Sequence, residues 1–345
     1  MKKVLLKIVD ILLYAILIIM FGFFWDIISP YFALDKAERS AINDGNVIYE
    51  KTINVATKED LNSYFYDQLD EDSKKIYDVI VNNLSVLKNG DSKIYLNPDE
   101  FSEILGKENG TEELKKRYQN AWDALKMDRV DMFYIDSTKV TLTIQSTRII
   151  NKVSYTIFLS PKEGETYFAN GFSSREEVEG AERELEKIRS DFCDTLSGNA
   201  IDDITAVNDF IVERTNYTSN TAEDHVSTIY GCLINQLATC EGYAKTFKYF
   251  MDYLKIKNIL VIGDGANGAG NLVPHMWNYV CLNDKWYGVD VTWNDPIPLT
   301  ADVRISLIDK HAFLLKKEDV FAEEHFTDGH VIENGYVFTY PKLES

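Results

Sequence analysis

The stretch Thr239-Cys240-Glu241-Gly242-Tyr243-Ala244-Lys245 puts a cysteine where a helix begins. From there Tyr243, Ala244, Phe247, Phe250, Met251 and Leu254 fall at helical spacing. Unpaired N–H groups and the macrodipole at such a terminus favour the thiolate, the nucleophilic form of the side chain. An inert buried cysteine fits the same local pattern, so the chemistry depends on partners. Downstream, the run from His275 to Leu282 alternates polar and apolar residues, Asn283-Asp284 reads as a two-residue hairpin turn, and Lys285 to Trp293 alternates again. A turn there pairs Leu282 with Lys285 and sets Asp290 opposite Trp277. His275 and Asp290 then become diagonal neighbours on one face, roughly 7–8 Å apart at the backbone. A helix start packed on that face completes a Cys-His-Asp set. In it Cys240 attacks a carbonyl carbon to form an acyl-thioester, His275 serves as base and acid, and Asp290 fixes the imidazole tautomer and stabilises its cation. The Cys240 backbone N–H is the expected oxyanion donor, with Gln236 a second candidate. Trp277, Asn278 and Trp293 are expected to line the cleft, although aromatics on such a hairpin serve equally as core. This chemistry calls for no cofactor.

The elements that must position these residues follow from periodicity. Helical patterns run over Lys58 to Lys88, Pro98 to Leu105 and Thr111 to Met127. Val140 to Ile144 and Val153 to Leu159 then alternate as a hairpin. Residues 46–170 therefore read as an α+β domain without a catalytic signature. Helices over Ser173 to Leu196 and Ile201 to Arg214 open a second domain, 172–345. Just before His275, Leu260 to Gly268 reads LVIGDGANG, the G-x-G-x-x-G spacing of a dinucleotide-binding turn. Ala269-Gly270-Asn271-Leu272-Val273-Pro274 and an alternating run follow it, so no helix terminus faces a phosphate. The glycines are read instead as a flexible connection from a strand to the histidine strand.

The 345 residues carry a net charge of −19, which argues against a nucleic-acid partner. Cysteines 193, 232, 240 and 281 contain no C-x-x-C, the histidines form no zinc-type pairing with them, and no EF-hand spacing occurs among the carboxylates. Lys2, Lys3 and Lys7 precede an uncharged apolar run from Ile11 to Trp25. No small-x-small cleavage site follows, so residues 1–30 are read as an uncleaved signal anchor, with a cleaved signal peptide as the competing reading. Residues 31–45 form a linker. The anchor places the C-terminal domain outside the cytoplasm.

The three contexts Cys240-Glu-Gly-Tyr-Ala, Pro-His275-Met-Trp-Asn and Lys-Trp-Tyr-Gly-Val-Asp290-Val-Thr-Trp-Asn-Asp-Pro, in that order, resemble the core of the transglutaminase-like superfamily over about residues 200–300. The resemblance implies a papain-like α+β core with Cys240, His275 and Asp290 as its triad, acting on protein or cell-envelope peptide by acyl transfer or amide hydrolysis. The family also contains inactive members, so an envelope binding module with the same fold stands as the alternative. The loop before His275 is longer and richer in glycine than the family pattern.

Overall fold

The computed structural model describes residues 63–149, 152–266, 271–295, 310–327 and 338–345. The expected anchor, the linker, the start of the first domain and residues 267–270 lie outside them. Among the described residues no helix is long and apolar enough to cross a membrane.

In the N-terminal part, α1 (Glu71–Asn82) starts where the Asp70 carboxylate accepts from the Ser73 N–H, and it buries Ile76, Tyr77 and Ile80. The pattern from Lys58 to Lys88 suggested one continuous helical stretch. The chain instead makes a 3₁₀ turn at Tyr66–Gln68 before α1, breaks at Asn83 and resumes as one helical turn over Leu84–Leu87. There the Asn83 side-chain amide turns back to donate to the Val79 carbonyl, a local bond that competes with helix continuation. Helix α2 (Gly110–Asp128) lies beside α1. Strands β1 (Ile94–Leu96), β2 (Val140–Ile149) and β3 (Lys152–Pro161) form an antiparallel sheet in the order β1-β3-β2, with the expected hairpin as its β2–β3 pair.

The C-terminal part begins with α3 (Arg175–Cys193), capped by Ser174, and α4 (Ala200–Arg214), capped by Asn199, whose side chain accepts from the Ile201 and Asp202 N–H groups. Two-residue strands β4 (Asn216–Tyr217) and β5 (Leu237–Ala238) pair in parallel and lead into α5 (Cys240–Tyr253). Helix α5 buries Tyr243, Ala244, Phe247, Phe250 and Met251 against the main sheet. That sheet is antiparallel, in the order β8-β7-β6-β9, built from β6 (Asn258–Ala266), β7 (Leu272–Leu282), β8 (Lys285–Val289) and β9 (His325–Phe326). A short helix α6 (Glu318–Phe321) precedes β9. The buried apolar residues of both parts form one continuous cluster. Phe338 of the C-terminal segment packs on Phe65, and Thr339 bonds Gln68.

The glycine-rich stretch corrects one expectation. Gly263 and Gly265 are strand residues of β6, in register with His275 and Val273, and not part of a connecting loop. They are small because neighbours need the space. A Cβ on Gly265 would stand 2.8 Å from the Trp293 ring and 3.2 Å from His275 Cδ2. Gly263 and Gly265 pair with an antiparallel strand and do not open a helix, so they lack the setting in which G-x-G-x-x-G binds a phosphate.

Candidate active site

Cys240 is the first residue of α5 and is half-buried. Thr239, the residue before it, makes no side-chain cap, so the polarity of the helix terminus is left to act on the sulfur. Gly242, one turn in, is required by packing: a Cβ there would stand 2.8 Å from that of Ala238 and closer still to the Val226 carbonyl. This contact presses the helix start down onto the β5 segment.

His275 and Asp290 arrive from the hairpin. The register is the one that the alternation predicts, with Leu282 opposite Lys285 and Asn278 opposite Val289. Asn283 and Asp284 turn the chain with φ of +51° and +61°, as a tight two-residue hairpin requires. Just past β8, Asp290 is fully buried. Its N–H donates to the Phe313 carbonyl and its Oδ1 accepts from the Trp293 N–H. Its Oδ2 lies 2.6 Å from His275 Nε2. With Nε2 held by Asp290, Nδ1 is the ring nitrogen left for the Cys240 thiol, which adds to the pull that keeps a proton on the imidazole. Trp293 stacks on the His275 ring, with centroids 4.8 Å apart at 17°.

The electrostatics follow from burial and charge. Desolvation alone would lower the His275 pKa, but the Asp290 carboxylate and the Cys240 thiol outweigh it and push the imidazole up to about 10. Desolvation would likewise raise the Asp290 pKa, but hydrogen bonds and charge from His275 and His325 hold the carboxyl well below the usual carboxylate range. Burial pushes the thiols of Cys193 and Cys232 up to about 11 and raises that of Cys281.

The other candidates fare differently. Trp277 is fully buried against His275, and Asn278, on the opposite face of β7, is buried with its amide donating to the Ala244 carbonyl of α5, so neither lines a cleft. Trp293 is half-buried at the site. Gln236 is exposed, in the left-handed region at φ +56°, and its main-chain oxygen accepts from Asn216.

Two residues at the site are not among the candidates that the sequence offered. The Tyr217 phenol, on β4, has its pKa raised first by burial and then by the charges of Cys240 and Asp290. A two-residue strand has no periodicity to betray it. His325 reaches Asp290 Oδ2 with its Nε2 at 2.9 Å. In the sequence it looked like a loop residue because Thr327-Asp328-Gly329 follows it. His275, Asp290 and His325 are close enough to suggest metal ligands. Yet ligands held about 2.0–2.2 Å from a tetrahedral ion stand more than about 3 Å from one another. The separations of 2.6 and 2.9 Å are those of hydrogen bonds.

No protein-family profile matches the chain. The mouse and human kyphoscoliosis peptidases are each 27% identical to it over 104 residues, a stretch that makes up 28% of this chain and 16% of theirs. The chain thus matches about a sixth of the length of these curated relatives. A solved TGase structure covers 60% of this chain with 56% of its own, at 17% identity and a TM-score of 0.33. Overlap at that score adds nothing to the local geometry. These matches are partial, and the resemblance to the transglutaminase-like superfamily is carried by the three sequence contexts.

Proposed function

We propose that the protein is a thiol enzyme that cleaves or transfers an acyl group from an amide of protein or cell-envelope peptide, with Cys240, His275 and Asp290 as its triad. The observation that carries this reading is the buried 2.6 Å bond between His275 Nε2 and Asp290, on a strand that packs against α5, the helix that begins with Cys240. Cys240 Sγ forms a bond to the carbonyl carbon as its proton passes to, or already resides on, His275. The tetrahedral oxyanion develops at the uncapped start of α5, where the Cys240 N–H and the helix dipole oppose its charge. His275 then protonates the leaving nitrogen as the C–N bond breaks, which leaves a thioester. Water or an amine attacks that thioester, His275 takes the proton, and the thiol is restored. Asp290 holds the ring so that Nδ1 faces sulfur throughout. The enzyme acts outside the cytoplasm, tethered by residues 1–30, with residues 46–170 as a domain distinct in role from the catalytic one.

The test is the thiol itself. Cys240→Ala should leave melting behaviour within the small range expected for a half-exposed side chain and abolish turnover of an amide or ester substrate. Turnover retained by that variant would exclude the mechanism and leave a binding module.

A further inference from the structure

His325 holds a position that the triad does not explain. Its side chain is fully buried. The ring stacks on Phe321 at 3.8 Å and packs edgewise on Trp277 at 4.9 Å, and β9 fixes its backbone opposite Gly265 of β6. Nδ1 lies 3.1 Å from the Phe321 carbonyl oxygen and Nε2 lies 2.9 Å from Asp290 Oδ2. A carbonyl oxygen can only accept, and so can an ionised carboxylate. Both ring nitrogens therefore face acceptors. A neutral imidazole has one N–H and satisfies half of this arrangement, whereas the doubly protonated ring satisfies all of it.

From this double-donor geometry we infer that His325 is a positioning residue for the proposed thiol chemistry, a second imidazole that shares the Asp290 oxygen with His275 and sets how strongly that carboxylate draws a proton onto His275. The inference rests on the thiol-enzyme reading. Shared between two donors, Asp290 stays ionised and its pull on His275 is moderated. Among the described residues, the titratable groups near His325 are Asp290 and His275, whose ring centroid lies 6.0 Å away, with Cys240 beyond the latter. Asp264 sits one register position along β6, and Glu324, the preceding residue, is exposed. Aromatic rings of Trp277, Trp293, Phe313 and Phe321 also surround it.

The experiment follows the rate of Cys240 alkylation by iodoacetamide against pH, read by mass spectrometry on the full chain, in wild type, His325→Phe and His325→Gln. Phe keeps the ring stack and removes both donors, while Gln keeps one neutral donor. Without the donor, the remaining groups hold their protons more tightly. The alkylation midpoint should move to higher pH in His325→Phe and by a smaller amount in His325→Gln. The rate at neutral pH should fall by about tenfold to a hundredfold, the scale on which outer hydrogen-bond partners act. A purely structural histidine would lower the melting temperature and leave the midpoint in place, and that result overturns the inference. If His325→Phe does not fold, the Gln variant and the ring ¹⁵N resonances of wild-type His325 decide: two protonated nitrogens support the inference, and one contradicts it. Failure of the thiol reading looks different. In that case Cys240 reacts no faster than the other cysteines even in wild type.

Discussion

The proton on His275 is held there against the tendency of burial. Desolvation opposes the charge, and Asp290 with the Cys240 thiol reverses this, lifting the group from its ordinary 6.5 to about 10. The imidazolium is thus available to protonate a leaving amine across neutral pH, and activity should fall on the basic side near the raised value. Asp290→Asn removes the charge that sustains the lift. Its basic limb should move down towards the ordinary imidazole range, with a rate loss of up to about 10⁴, as measured by kcat/KM against pH. The same pair makes stability depend on pH. His275, with its folded value raised, contributes fully below its unfolded 6.5 and loses that contribution as pH rises through about 10. Asp290, with its folded value depressed, contributes above its unfolded 3.8 and loses that contribution as pH falls towards the depressed value. The melting temperature gap between wild type and Asp290→Asn should therefore be widest between 3.8 and 6.5 and close towards pH 10. A gap that widens with pH through that range would contradict the pairing.

Three elements aim these groups, and they differ in how visible they are in the sequence. The register of the β7–β8 hairpin was legible, because alternation from His275 to Leu282 and a turn at Asn283-Asp284 leave one register compatible with a buried face, although β8 ends at Val289 and not at Trp293. The start of α5 was equally legible, from its helical spacing. The function of the glycines in β6 was not, since an absent side chain says nothing of what presses against it from elsewhere in the chain. The structure gives Gly265 the role of spacing Trp293 and His275. Gly265→Ala should shift both rings and cost activity by at least about tenfold, while binding no nucleotide either before or after the change. An alanine variant with full activity would return Gly265 to the role of a plain connection. As a contrast, Asn199→Ala removes the cap of α4, far from the chemistry. It should cost about 1 kcal/mol in denaturant unfolding and leave the Cys240 reaction rate unchanged.

At the scale of the molecule, the order Cys240, His275, Asp290 was readable because each residue lies in its own local context. His325 was hidden because its partner, Asp290, is 35 residues away and only the return of the chain as β9 beside β6 brings the two together. For the same reason Trp277 and Asn278 were taken for cleft walls, since alternation gives the face of a strand but not which layer covers it. If the proposed anchor over residues 1–30 is present, the native chain should sediment with membranes and keep its original N-terminus. A membrane fraction whose N-terminal sequence starts near residue 35 would refute it. The proposed chemistry itself is tested most directly by incubating the full chain with an activated ester at neutral pH and reading the intact and peptide masses. Burial raises the pKa of the other three thiols, so one acyl group should appear, on Cys240, and be lost on addition of hydroxylamine. His275→Ala should acylate far more slowly and Cys240→Ala not at all. Equal acylation of the Cys240→Ala chain, or label spread evenly over Cys193, Cys232 and Cys281, would contradict the account.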